Sequence, residues 1–249
     1  MNALIKSGGK EFRVNLAKPI DISIPLSADK KSVNAFGAPP FEVSPVKEGS
    51  FIGSVKEGGH LNYFNVKLNP HGNGTHTECV GHIAEGYTIN RCLKRFFFLA
   101  ELVSLKPVRK NGDEVIMKEQ VKKAIGNKRP EAVIIRTLPN DRMKLKKNYS
   151  GKNPPYLHED VAAFLVEKNV SHILIDLPSA DREKDGGKLL FHKTFWQYPG
   201  RIRSDATITE LIYVPDKIDD GSYLLNLQIA SFEMDASPSK PVLYRLILS

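Results

Sequence analysis

Positions 70–82, with the sequence PHGNGTHTECVGH, contain the side chains best suited to chemistry. Three imidazoles and one carboxylate lie within twelve positions: His71, His76, Glu78 and His82. The interleaved glycines allow tight backbone bends, so several of these side chains can converge on one point. Imidazole and carboxylate without a thiolate pair suit zinc, manganese or iron. The cluster favours a metal site with an extra histidine as proton carrier, the alternative being ordinary hydrogen-bonded histidines.

The composition excludes some classes of function. The chain of 249 residues is 41% hydrophobic and 26% charged, as is usual for a soluble globular protein. Its net charge of +8 is dispersed, with local lysine clusters at 122–123 and 144–147. No zinc finger, RNA-recognition motif or basic helix accompanies these lysines. We therefore expect a solvated basic surface, which could attract an anionic substrate, and no nucleic-acid partner.

The sequence also predicts where in the cell the protein is located. No apolar run has the length of a membrane span, and the first residues lack the apolar segment of a secretory signal. The two cysteines, Cys79 and Cys92, do not indicate a disulfide scaffold. We expect no membrane partner and a cytoplasmic location. Cys79 lies beside Glu78, but as a nucleophile it would need an activating base within reach.

Hydrophobic periodicity predicts a sheet-rich chain with few helices. Strands are expected at 20–26, 61–68, 96–105, 132–137, 173–177, 207–214, 223–232 and 242–248, and helices at 117–125 and 158–168. Residues 27–60 are rich in Ser, Lys, Gly and Pro, which predicts a long surface excursion. The order strand, helix, strand predicts parallel pairing through crossover connections. We expect an α/β (α+β, β-rich) fold with a mixed sheet, in one domain over 1–249.

The segment from Gly74 to Glu78, followed by His82, resembles the signature of the cyclase family, which includes bacterial kynurenine formamidases. That signature is His-x-Gly-Thr-His-x-Asp-x-Pro-x-His. Further segments resemble the family in the same order along the chain, at 21–23, 133–137, 158–168, 175–176 and 178–181. The resemblance covers nearly the whole chain and implies the swivelling β/β/α fold of that family.

The resemblance also implies a set of metal ligands. They match His76 and Glu78 in the signature, and the more distant His192 and Glu210. The last signature histidine, His82, matches the family's proton-transfer residue.

This chain departs from the signature at three positions. The first signature histidine falls on Gly72, glutamate replaces aspartate at Glu78, and Val80 replaces proline. His71 could substitute for the missing ligand, although a one-residue slip in an extended segment would point its side chain to the other face. Three outcomes are open: one metal ion instead of two, a ligand set restored by His71, or lost activity.

The function implied is a metal-dependent hydrolase of a small amide or formamide, similar to arylformamidases. One or two divalent ions, zinc or else manganese, would lower the pKa of bound water, so that a hydroxide attacks the carbonyl while His82 protonates the leaving nitrogen. Phe36 is a candidate to stack on an aromatic substrate, or it packs under its own loop. Trp196 lines the pocket or belongs to the core.

Two alternatives remain open at this point. The same fold could hydrolyse a cyclic imide, lactam or lactone, or act as a dehydrating cyclase. Alternatively, Gly72 has removed metal competence, and the protein is a non-catalytic small-molecule-binding relative. The resemblance also implies a homodimer or homotetramer.

Overall fold

The computed structural model describes residues 1–28 and 32–248, so three positions of the predicted 27–60 excursion lie outside the described residues. The strands are β1 (Asn2–Ser7), β2 (Lys10–Asn15), β3 (Ile20–Asp21), β4 (Glu42–Pro45), β5 (Lys47–Glu48), β6 (Phe51–Ile52), β7 (Phe64–Lys67), β8 (His76–Glu78), β9 (Phe97–Leu105), β10 (Val108–Lys110), β11 (Asp113–Ile116), β12 (Ala132–Thr137), β13 (Tyr156–Leu157), β14 (His172–Ile175), β15 (Thr207–Glu210), β16 (Gly221–Ile229) and β17 (Ala236–Leu248). The helices are α1 (Pro70–Asn73), α2 (Ile89–Cys92), α3 (Lys118–Ile125), α4 (Glu159–Glu167) and α5 (Leu190–Trp196), with 3-10 turns at Val55–Glu57, Val80–His82 and Arg142–Lys146. Among the described residues no helix is long and apolar enough to cross a membrane.

Seven strands close into a barrel in the order β17, β16, β9, β12, β14, β15, β8 and back to β17. The three pairings from β9 to β15 are parallel, and α3 and α4 provide the first two crossovers. The other four pairings are antiparallel. The predicted mixed sheet with few helices, and the parallel pairing within it, are confirmed.

The parallel strands are buried on both faces. Successive residues of a strand point to opposite sides, and in β12 Ala132 and Ile134 pack in one apolar cluster while Val133 and Ile135 pack in another. The second cluster also contains the buried faces of α3, α4 and α5. Burial on both faces explains why residues 132–135 form an uninterrupted apolar run in the sequence.

Some predicted elements have different bounds. The predicted strand at 207–214 ends at Glu210, because Leu211 adopts a left-handed conformation with φ of 54°. The last strand begins at 236 instead of 242, since it first pairs with β8 and then continues beside β16. The hairpin of β1 and β2 and the helix α5 were not predicted.

A buried ion pair joins the ends of two barrel strands. The Asp176 carboxylate, which follows β14, accepts hydrogen bonds from the Thr137 backbone N–H (2.9 Å), the Thr137 hydroxyl (2.8 Å) and Lys144 Nζ (2.8 Å). Burial raises the pKa of Asp176, although Lys144 and Thr137 lower it. Thr137 and Asp176 belong to segments that resemble the cyclase family, and here they join two strands of the barrel.

Replacing Asp176 with alanine should lower the free energy of unfolding by about 3–5 kcal/mol, because Lys144 would remain buried without a counter-charge. Urea denaturation monitored by circular dichroism measures this loss. The exposed pair of Lys6 and Glu11 provides the control, and Glu11→Ala should change the same free energy by less than about 1 kcal/mol. Equal effects of the two substitutions would contradict the structural role of Asp176.

His172 is a buried histidine at the start of β14, two strands away from β8 in the sheet. Its Nδ1 lies 2.9 Å from Thr207 Oγ1, and its ring centroid lies 3.9 Å from that of Phe98. Burial, together with the positive charges of Arg95 and Arg203, lowers its pKa from 6.5 to about 3. The folded protein therefore keeps this ring neutral where the unfolded chain protonates it.

Because the unfolded state binds the extra proton, His172 should lower the stability as the pH falls from about 6.5 towards 3. The loss reaches about 2 kcal/mol at pH 5. Urea denaturation at pH 7 and pH 5 should show a smaller pH dependence for His172→Gln than for the wild-type protein. An identical pH dependence for both proteins would refute this assignment.

Candidate metal centre

The segment that carries His71 is a helical turn. Pro70 begins the short helix α1, and the Asn69 side chain caps it by accepting the Gly72 N–H at 3.0 Å. The expectation that an extended segment would turn His71 away was therefore wrong. His71 Nδ1 instead lies 3.1 Å from Glu78 Oε2.

Gly72 occupies a position that has no room for a side chain. A Cβ at this residue would lie 2.3 Å from Ala38 Cβ and 3.0 Å from the Ala35 carbonyl oxygen. Similarly, a Cβ on Gly81 would lie 2.3 Å from the Tyr87 carbonyl oxygen. These glycines permit close packing of neighbouring chain segments, which differs from the tight bends expected from sequence.

Strand β8 brings a histidine and two glutamates together. Residues two apart in a strand point to the same side, so His76 and Glu78 share one face. Glu210 lies directly opposite His76 on the antiparallel strand β15. The His76 Nε2 and Glu210 Oε2 atoms are 3.4 Å apart.

Helix α5 adds His192 from the other side of the cluster. The carboxylate of Asp181 accepts hydrogen bonds from the backbone N–H groups of Phe191 (2.8 Å) and His192 (3.1 Å), which fixes the start of this helix. His192 Nδ1 also donates to Asp181 Oδ2 at 2.5 Å. Its other ring nitrogen, Nε2, lies 3.0 Å from Glu78 Oε1 and 3.9 Å from Glu210 Oε1.

His82 lies at the more open side of the cluster. Its side chain is 30% exposed, whereas His76, Glu78 and His192 are almost completely buried. Its ring centroid is 4.5 Å from that of His71 and 5.6 Å from that of His192. The structure therefore brings together all six residues that the sequence singled out as ligands or proton carrier.

The carboxylates strongly favour positive charge in this cluster. Burial disfavours protonation of His71, but hydrogen bonds to Asp235 and Glu78 outweigh it and raise the pKa of His71 to about 10. The negative charge of Glu78 raises the pKa of His82 despite partial burial. Burial raises the pKa of Glu78 itself, but the charge of His82 and hydrogen bonds from His192 and His71 bring it well below its usual range.

The donor set suits a divalent metal ion. His76 Nε2 is buried without a hydrogen-bond partner among the residues that the structure describes. Burial disfavours protonation of His192, but hydrogen bonds to Asp181 and Glu78 raise its pKa well above the usual value. A bound cation would take the place of the proton between His192 Nε2 and Glu78. A cation between these atoms would satisfy them all. The ligand atoms converge within 4.8 Å in three groups: His71, His76 and Glu78; Glu78, His82 and His192; His71, His82 and Asp235.

Two aromatic residues considered from sequence lie in different settings. Phe36 is 47% exposed with φ of 57°, next to Ala35, whose N–H donates to the Gly72 carbonyl at 2.9 Å. This position flanks the first half of the cluster, and a role in substrate binding stays a prediction. Trp196 is fully buried in the core, and its indole N–H donates to the Ala206 carbonyl at 2.9 Å.

Two acidic residues of the cluster were not predicted as site residues. Asp181 belongs to a segment that resembles the cyclase family, but its contact with His192 depends on how α5 packs. Asp235 contacts His71 Nε2 (2.9 Å) and His82 Nδ1 (3.2 Å) from a loop 153 residues beyond His82. Nothing in its local sequence signals this contact, because acidic residues shortly before a strand are commonplace.

Comparison with known proteins agrees with this arrangement. A family model described as "Cyclase: Putative cyclase" matches residues 20–182. A kynurenine formamidase of Bacillus cereus is 28% identical over 232 residues, covering 90% of this chain and 96% of that protein. A kynurenine formamidase of Bacillus anthracis is 26% identical over 234 residues, covering 91% and 97% respectively.

Solved structures share the fold at low sequence identity. Isatin hydrolase A from Labrenzia aggregata has a TM-score of 0.66 and 13% identity, and the match covers 91% of this chain and 93% of that one. A "predicted metal-dependent hydrolase from Bacillus stearothermophilus" has a TM-score of 0.64 and 18% identity, with coverage of 91% and 98%. The match of the family model over most of the chain, together with these similarities, shows that the chain belongs to the Cyclase family.

Proposed function

We propose that this protein is a metal-dependent hydrolase of a small amide or formamide substrate, similar to arylformamidases. The observation that carries the proposal is the placement of His71, His76 and His192 close to Glu78 or Glu210. Among the described residues, the buried His76 Nε2 has no hydrogen-bond partner. The full-length similarity to kynurenine formamidases supports the choice of substrate class.

The ligands would be the three buried or half-buried histidines and the two glutamates. Imidazole and carboxylate donors suit zinc, with manganese as the alternative. Two of the groups of converging ligand atoms share Glu78, so these residues could hold one ion or two. When bound, the ion supplies a Lewis acid that polarises the substrate carbonyl and lowers the pKa of water to about 7.

His82 is placed to move protons to and from the substrate. Its partial exposure contrasts with the burial of His76, His192 and the two glutamates, so a substrate can approach this ring. Its Nδ1 contacts Asp235, which leaves Nε2 for the substrate. A proton delivered from His82 to the departing nitrogen makes that group a better leaving group.

Metal analysis and turnover together test the proposal. Protein purified without chelator should contain at least about one zinc or manganese ion per chain, and it should hydrolyse N-formylkynurenine. A metal content near zero, with no activity after reconstitution with zinc or manganese, would overturn it. That result would favour the non-catalytic binding relative.

A panel of substrates distinguishes amide hydrolysis from the other reactions that the same fold could catalyse. It should include cyclic imides, lactams and lactones beside the formamide, and a dehydration assay for cyclase activity. A kcat/KM at least about tenfold higher for the formamide than for any cyclic compound supports the proposed class, which corresponds to 1.4 kcal/mol of transition-state stabilisation. The reverse preference would replace the amide assignment with a cyclic substrate.

We also propose that the protein forms a homodimer or homotetramer. The antiparallel ribbon of β4 and β7 places Val43, Phe64 and Val66 on one face, and all three are exposed. A two-stranded ribbon is only marginally stable by itself in water, and an exposed apolar face of this kind is typical of a protein–protein contact. Analytical ultracentrifugation should show that the wild-type protein is an oligomer and that Phe64→Glu shifts it towards the monomer. A wild-type protein that stays monomeric at high concentration would refute the proposed oligomer.

A further inference from the structure

Asp235 connects two histidines of the candidate metal centre through a single oxygen atom. Its Oδ2 lies 2.9 Å from His71 Nε2 and 3.2 Å from His82 Nδ1. An ionised carboxylate only accepts hydrogen bonds, so both ring nitrogens must act as donors towards it. This arrangement leaves Nδ1 of His71 to face Glu78 and Nε2 of His82 to face the substrate.

The contact to His71 repeats the arrangement around His192. In each case a carboxylate binds one ring nitrogen, Asp181 for His192 and Asp235 for His71, and the other ring nitrogen lies 3.0–3.1 Å from a Glu78 oxygen. Metal-bound histidines typically donate their second N–H to such an outer carboxylate, which fixes the tautomer and the ring orientation. The two rings that contact Glu78 thus have the same kind of outer partner, an aspartate carboxylate.

The loop before β17 is held firmly enough to position a side chain. The Asp235 carbonyl accepts the Cys79 N–H at 3.0 Å, and the Met234 carbonyl accepts the Ile89 N–H at 2.7 Å. Glu233 accepts hydrogen bonds from Thr88 (2.8 Å) and Asn90 (2.7 Å). The loop is therefore anchored next to Glu78 through backbone bonds that a substitution of the Asp235 side chain leaves in place.

We propose that Asp235 is the positioning residue that makes His71 a metal ligand in place of the histidine missing at Gly72, and that it also orients His82. This inference rests on the proposed metal-dependent function. Asp235 compensates for the one-residue shift of the ligand, because His71 approaches Glu78 from a helical turn and needs an outer partner to fix its ring.

Zinc affinity in a double-mutant cycle tests the inference without any substrate. In the full-length protein, Asp235→Asn should weaken zinc binding by about 10–100-fold in a chelator competition assay. In the His71→Ala background the same substitution should change the affinity by less than about twofold, because the ring that Asp235 positions is gone. Asp235→Glu, which keeps the carboxylate, should retain part of the affinity.

Asp181→Asn is the matched control, since it acts through His192 and should weaken zinc binding in both backgrounds. Cobalt-substituted Asp235→Asn should also show a visible absorption spectrum that differs from wild type, which a general loss of stability would not produce. Equal losses from Asp235→Asn in both backgrounds, or unchanged affinity, would overturn the inference while the wild-type protein still binds zinc. A wild-type protein that binds no zinc would overturn both this inference and the proposed function.

Discussion

Replacing His82 with alanine should lower kcat by about 10²–10⁴-fold while the metal content stays unchanged. His82 is a partly exposed ring that we assign to proton transfer and not to metal binding. General acid catalysis by a positioned side chain contributes a factor of this size. Turnover assays combined with metal analysis of the same preparation measure both quantities.

Chemical rescue provides the control for this variant. Added imidazole should restore part of the activity of His82→Ala, since the side chain lies at the open side of the cluster and its removal leaves space for the small base. It should not affect His76→Ala, which we expect to lose the metal ion. Loss of metal from His82→Ala would contradict its assignment as proton carrier and make it a ligand.

Replacing His71 with alanine should weaken metal binding by more than the roughly 10–100-fold that is typical of losing an outer partner of a ligand. His71 lies 3.1 Å from Glu78 and takes the place of the family's first signature histidine. Introducing Gly72→His into this variant should not restore binding, because the new side chain would collide with Ala38 and the Ala35 carbonyl. Isothermal titration with zinc measures the affinity of each protein.

His60 offers a matched control for this pair, since it is an exposed histidine that belongs to none of the converging ligand groups. His60→Ala should leave the zinc affinity within about twofold of wild type. Recovery of wild-type affinity in the His71→Ala, Gly72→His protein would show that the early loop moves aside. The ligand would then belong at position 72, as in the family signature.

The sequence predicted most of the sheet because burial on both faces produces recognisable apolar runs. Strand β12 has its predicted bounds, and the helices α3 and α4 begin and end within a residue of the prediction. The helix α5 was missed because its N-terminal residue Leu190 follows a left-handed Leu189 and no usual cap. Its position depends on Asp181, a contact that local sequence does not reveal.

The sequence predicted part of the candidate site. His76, Glu78 and His82 lie close together in the sequence, and His192 and Glu210 followed from the resemblance to the cyclase family. The orientation of His71 could not be predicted, because it depends on Asn69 capping a helical turn where an extended segment was assumed. Asp235 could not be predicted either, since only the pairing of β8 with β17 brings its loop to the histidines.

The central claim is that His71 completes a working metal centre despite the glycine at position 72. A crystal structure of the zinc-loaded protein, with anomalous data at the zinc edge, tests it most directly. We predict a zinc ion within about 2.0–2.1 Å of a His71 ring nitrogen, with Glu78 as a further ligand. A zinc ion bound by His76, His192 and the glutamates without His71, or no anomalous peak in the cluster, would contradict the claim.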